Sequence, residues 1–177
     1  MALTQGARNK IKSIVQSAKK LLMKEFESQL QQYYGIRPDG TCLLVEELTS
    51  REASVIETAR LLRQRLQYLE EGIAGNNKAP EAVRQLIREQ AFTILNRFAA
   101  VRMSEERNII RESIRIGYNS EGFLVYDQLT GGAKTAEQFT RYTWYIGHVF
   151  DELAIDLPAV FDRFSPYALL FPSEKVL

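Results

Sequence analysis

Asn96, Arg97, Arg102, Glu105 and Glu106 crowd one short stretch of the chain, QAFTILNRFAAVRMSEE, from Gln90 to Glu106. In a helix, at about 100° per residue, Arg97 falls on one flank of an apolar stripe and Arg102 on the other. Glu105 falls within the stripe. Arg102 precedes Glu105 by three residues and Glu106 by four, the two spacings at which helical side chains meet. Charges beside a core are costly unless paired. These groups must therefore pair with one another or with backbone carbonyls of a neighbouring segment. The chemistry is that of an ion-pair lock between helices, or of a joint fixing an adjoining domain, and neither requires catalysis.

Other reactive groups are few. Cys42 is the only cysteine and His148 the only histidine, which excludes a disulfide framework and a Cys/His zinc site within one chain. A Cys-His hydrolase pair is formally open. Cys42, in the apolar run TCLLVEEL, reads as an inert packed thiol. His148, in TRYTWYIGHVF, reads as a hydrogen-bonded structural residue among core aromatics. The pairs Glu46-Glu47, Glu70-Glu71 and Glu105-Glu106 are sequence neighbours, which a helix points apart, so they make poor acid/base couples. The sequence holds no phosphate loop, G-x-G-x-x-G, H-E-x-x-H or G-x-S-x-G. Gly131-Gly132 reads as a turn.

The 177 residues, 45% hydrophobic and 25% charged, suit an ordinary globular protein. We read residues 1–177 as a single helical domain, with a candidate sub-boundary near 117–135. A net charge of +1 implies no global field. Locally, however, no acid precedes Glu25, while Arg8, Lys10, Lys12, Lys19, Lys20 and Lys24 are basic. Such a spread around a helix is usually a solvated face. Phosphate contact by Arg8, Lys12, Lys19 and Lys20 is the alternative. No signal peptide is visible, and no apolar run approaches the roughly 20 residues of a membrane span. A cytoplasmic location without membrane contact is the default expectation, and the oligomeric state is open.

These residues need elements to position them. Ile11, Ile14, Val15, Ala18, Leu21, Leu22, Phe26, Leu30 and Tyr33 predict one long helix from Leu3 to Tyr34, stopped at Gly35. Cys42 to Val45 reads as a short strand or extended lead-in. Thr49 or Ser50 is placed to cap a second helix running to about Glu71. A third starts at Pro80 and reaches Met103, with Ile116 as its furthest limit. FLVY, between turn-like ends in 117–132, predicts a short strand or ordered loop. A fourth helix covers Ala136 to about Leu153, and a short one follows Leu157-Pro158 through Phe164. In SPYALLFPSEKVL an apolar helical pattern begins and stops, which implies a continuation beyond Leu177. The fold class is all-α: a multi-helix bundle with at most one short β-hairpin or extended segment.

AFTILNRFAAVRMSEER resembles a segment of large adenine-specific DNA methyltransferases of phage defence and restriction. In the BREX, DISARM and single-chain type IIG enzymes, a helix of the form A-[FY]-x-x-[FL]-N-R-[FL]-x-A-[LV]-R-x-x-E precedes the catalytic domain. Ala91, Phe92, Leu95, Asn96, Arg97, Phe98, Ala100, Val101, Arg102 and Glu105 match it. Leu170-Phe171-Pro172 matches an "LFP" segment that leads toward the methyltransferase domain. The resemblance covers about residues 80–116 and 150–177. It implies a parent enzyme that methylates adenine from S-adenosylmethionine and flips its target base. The family's Asn/Asp-Pro-Pro-Tyr/Phe motif and cofactor motif are absent here, and the chain has no Pro-Pro pair. The resemblance therefore implies a non-catalytic N-terminal helical region that braces a downstream methyltransferase domain, with contacts to DNA or a partner. It carries over no catalytic, cofactor or metal residue. The alternatives are a stand-alone helical protein–protein interaction module and a small Cys42-His148 hydrolase.

Overall fold

Apolar residues recur at three- and four-residue spacing over most of the chain, and helices form along that pattern. The computed structural model describes residues 4–48, 50, 52–131 and 136–177. Among them run six α-helices: α1 Gln5–Gln32, α2 Ala53–Gly72, α3 Lys78–Glu106, α4 Glu121–Leu129, α5 Gln138–Ala154 and α6 Pro158–Phe161. Short 3-10 turns lie at Val45–Glu47 and Gly117–Asn119. No strand occurs among the described residues; one antiparallel bridge joins Ile36 and Cys42 around the Pro38-Asp39-Gly40 turn. The fold class is all-α, as expected. Thr49 and the second glycine of Gly131-Gly132 lie outside the described residues.

The chain divides into two compact units, residues 1–92 with 165–177, and residues 93–164. In the first unit, Leu22, Phe26 and Leu30 of α1, Leu62, Leu66 and Leu69 of α2, and Val83, Leu86 and Ile87 of α3 are buried. The Thr4 side chain caps α1 by accepting from the Ala7 amide at 3.3 Å. Glu52 occupies the cap position of α2 without a side-chain bond, while Ser50 Oγ accepts from the Glu52 amide at 3.3 Å. The Arg65 guanidinium makes a bidentate pair with Glu89 at 3.0 and 2.9 Å and lies over the Tyr167 ring at 4.5 Å.

The C-terminal segment departs from expectation. Residues 165–177 form turns and irregular backbone, not the start of a helix. Pro166 and Pro172 each restrict the residue before them and lack an amide hydrogen. The freed backbone groups go to side chains instead. Gln90, fully buried, donates from Nε2 to the Pro166 carbonyl at 2.8 Å and accepts from the Leu169 and Leu170 amides at 2.7 and 3.2 Å. Gln29 Nε2 donates to the Phe171 carbonyl at 3.0 Å.

In the second unit, the segment read as a strand or loop, FLVY, is instead part of α4. Glu121 sits in its first turn, where a carboxylate suits the helix dipole. Phe123 is buried in edge-on contact with Tyr142 of α5, with ring centroids 5.2 Å apart. A four-residue apolar run fits either period, and packing on α5 overrides its strand propensity. Likewise α3 stops at Glu106, short of Ile116. Asn108 takes φ 56, its amide bonds the Glu105 carbonyl at 2.9 Å, and the Ile109 amide bonds the Ser104 carbonyl at 3.0 Å. That pattern is a Schellman stop with asparagine in the left-handed position.

Gln90→Leu keeps the side-chain bulk but strips three backbone groups of their partner. We expect a loss of about 3 kcal/mol, read from urea denaturation midpoints, with helix content retained. A change below about 0.5 kcal/mol would show that water replaces the amide.

Candidate functional site

Helix α3 presents its charged residues at two places within the second unit. Near its middle, Arg97 is buried. Its Nε donates to the Val160 carbonyl at 2.8 Å and its Nη2 to the Asp162 carbonyl at 2.5 Å. Its guanidinium lies 5.4 Å from the Phe150 ring centroid. Desolvation pulls its pKa below the ordinary arginine value, while the Asp162 charge acts in the opposite direction. The group stays a cation, because arginine titrates far above neutrality. The carbonyl end of α6, carrying partial negative charge, is a fitting place for it.

At the C-terminal end of α3, Glu105 is buried, with its side chain 3% exposed. Its Oε1 accepts from the backbone amides of Ser113 and Ile114, both at 2.6 Å, and its Oε2 accepts from Arg102 Nη1. Arg102 Nη2 reaches Glu106 at 2.5 Å. The bond to Glu105, first, holds Arg102 above its ordinary pKa. Glu106 is largely exposed, so its half of the pair contributes little.

Asn96 lies on the exposed side of α3. The five residues singled out above thus form no single knot. Arg102, Glu105 and Glu106 are together, Arg97 makes a separate lock, and Asn96 joins neither.

Ser113 extends the Glu105 lock. Its amide goes to Glu105, its carbonyl accepts from Tyr142 Oη at 2.9 Å, and its Oγ lies 2.6 Å from Tyr145 Oη. Since Ser113 Oγ also donates to the Arg111 carbonyl at 2.9 Å, the Tyr145 phenol is the donor in their contact. Gly122 makes room for that phenol: a β-carbon there would meet Tyr145 Oη at 1.9 Å. Ser113, Tyr142, Tyr145 and Gly122 carry no charge or motif, and sequence reasoning did not single them out for this role. The tyrosine pair three residues apart on an aromatic helix was the available signal.

An open cleft of about 510 Å³ lies beside this lock, lined by Arg102, Glu106, Arg111 and Glu121 among others. Its guanidiniums face the chain's own carboxylates, as in Arg111–Glu121 at 3.3 Å. The arrangement neutralises charge; it does not poise an acid and a base across a reaction site. Among the described residues, no group of three His, Cys, Asp or Glu could hold a metal ion.

The remaining candidates are dispersed. Cys42 belongs to the first unit and is exposed, not packed as expected, because the bridge at Ile36 places it on the rim of a surface turn. Desolvation of its sulfur raises the thiol pKa, so it is protonated at neutral pH and a weak nucleophile. His148 belongs to the second unit and is exposed, with its ring 5.5 Å from that of Tyr126. Of the expected phosphate contacts on α1, Arg8, Lys12 and Lys20 are exposed and Lys19 is half-buried. No helix among the described residues is long and apolar enough to cross a membrane.

Compared with known proteins, the chain matches no family model, no curated protein and no solved structure.

Glu105→Ala leaves the buried Ser113 amide and the half-buried Ile114 amide without their acceptor. We expect it to lower stability by about 3 kcal/mol, against less than about 1 kcal/mol for Glu106→Ala, measured by thermal unfolding. Equal effects would mean that the buried bonds are not what matters.

The phenols of Tyr142 and Tyr145 are both raised above the ordinary tyrosine value, chiefly by burial. The unfolded chain then sheds these protons first. Their contribution to stability is whole below about pH 10 and declines as pH rises through the folded values. Alkaline titration should show these two phenolates appearing only as helical circular dichroism is lost. Ionisation of all eight tyrosines with the helix signal intact would contradict this.

Proposed function

We propose that this chain is a non-catalytic helical module whose buried charges hold helices and connecting segments in register for a neighbouring domain. The observation that carries the reading is Glu105, a buried carboxylate spent on two backbone amides of the following segment. A carboxylate held this way positions backbone and is removed from acid/base work.

More finely, we propose the N-terminal helical region of an S-adenosylmethionine-dependent, adenine-specific DNA methyltransferase of restriction-modification or phage defence. It would brace the catalytic domain, with DNA or a partner as further contacts. The resemblance of Ala91–Glu105 and of Leu170-Phe171-Pro172 supports it. So does the use of Arg97 and Glu105, two of the matching residues, as structural locks. In this reading enzymatic activity belongs to the parent protein, and this module binds no cofactor.

A stand-alone helical interaction module is the second reading, favoured by the bare apolar residues Ile11, Ile14 and Leu21 of α1.

Genomic sequence beyond the Leu177 codon separates the two. The methyltransferase reading expects an open frame of several hundred codons containing an Asn-Pro-Pro-Tyr-like motif. Its product should transfer labelled methyl groups from S-adenosylmethionine to adenine in duplex DNA. A stop codon close to Leu177 would remove that reading and leave the interaction module.

A further inference from the structure

Helix α1 is two different surfaces end to end. From Leu22 onward its apolar stripe is covered: Leu22, Phe26 and Leu30 are 5%, 0% and 1% exposed. Before Leu22 the stripe continues without a cover. None of residues 4–21 is buried, and Ile11, Ile14, Val15 and Leu21 are each exposed. From Ile11 to Leu21 the bare strip runs about 15 Å along the helix at its usual rise. Water against such a face is unfavourable, and a contiguous exposed apolar strip marks an interaction site.

The pattern of the strip narrows its occupant. Ile11, Ile14, Ala18 and Leu21 are spaced by three, four and three, the seam of a coiled coil. Arg8 flanks the seam on one side, and Lys10 and Lys24 flank it on the other. No acid precedes Glu25, so the segment carries no carboxylate of its own to answer these cations.

A second copy of the same face would set Lys10 against Lys24 in an antiparallel pairing, and in either orientation it would bring no carboxylate from residues 4–24 to answer these cations. Tracking of nucleic-acid phosphates needs a clustered basic stripe, whereas the centre of this face is aliphatic. A lipid surface is best met by Trp, Phe and Leu. This seam instead offers β-branched Ile11 and Ile14 with small Ala18, residues suited to knobs-into-holes packing.

We propose that the exposed N-terminal half of α1 is a docking helix for an acidic amphipathic helix of another protein. The partner would pack apolar residues on Ile11, Ile14, Ala18 and Leu21 and set carboxylates against Arg8, Lys10 and Lys24. This assignment is independent of the methyltransferase reading, since it needs no downstream domain.

The test uses the full chain and two synthetic three-heptad peptides with leucine at the seam, one carrying glutamate on both flanks and the other lysine. Fluorescence anisotropy should detect binding of the glutamate peptide alone. Ile14→Ser should weaken it on the order of tenfold, with an unchanged thermal midpoint because the residue is exposed. The triple reversal Arg8→Glu, Lys10→Glu, Lys24→Glu should switch preference to the lysine peptide.

Four results would each overturn the proposal. They are equal affinity for both peptides, an Ile14→Ser variant that binds undiminished, self-association that Ile14→Ser abolishes, and binding to duplex DNA or phosphatidylserine vesicles that Ile14→Ser weakens equally.

Discussion

A carboxylate near the carbonyl end of a helix is electrostatically misplaced, and Glu105 is also buried there. It is tolerable only if donors surround it. The Ser113 and Ile114 amides and the Arg102 guanidinium supply them. The consequence is geometric. To bring two consecutive amides onto one oxygen, the chain must leave α3 sharply, and the Asn108 left-handed stop makes that departure. Ser113, fixed by its amide, then offers its carbonyl and hydroxyl to Tyr142 and Tyr145 of α5. Tyr145 in turn needs the space that Gly122 leaves on α4. One buried charge thus organises the junction of three helices.

Arg97 solves the opposite problem with the opposite groups. A buried cation accepts no hydrogen bond, so it is answered by carbonyls, those of Val160 and Asp162. Glu105 takes amides and Arg97 takes carbonyls, from a connecting segment in the one case and from the last turn of α6 and the residue after it in the other. These bonds satisfy backbone groups of short connections that are drawn against the helices. Gln90 plays the same part in the first unit, using both ends of a neutral amide to hold residues 166–170.

The same accounting isolates the N-terminal half of α1. Everywhere else on the long helices the apolar stripe is covered along most of its length, as on α2 with Leu62, Leu66 and Leu69. On α1 the stripe is bare from Ile11 through Leu21 and covered from Leu22 onward. Local helix propensity and the Thr4 cap help to hold the free half in shape.

Periodicity alone located the long helices, placed Glu105 inside an apolar stripe, and put Arg97 and Arg102 on opposite flanks. Those are local properties, set by side chains three and four residues apart on the same helix. It left open which groups answer the charges, because the answering carbonyl of Val160 lies 63 residues beyond Arg97 and a backbone carbonyl has no sequence signature. Short segments failed for a related reason. FLVY satisfies helix and strand periods alike until the aromatic face of α5 decides between them, and the apolar C-terminal residues are kept out of a helix by two prolines and by bonds to Gln90. Composition and spacing state that a polar group is near a core; only the tertiary structure brings up the partner, since that partner is backbone delivered by the folding of distant chain.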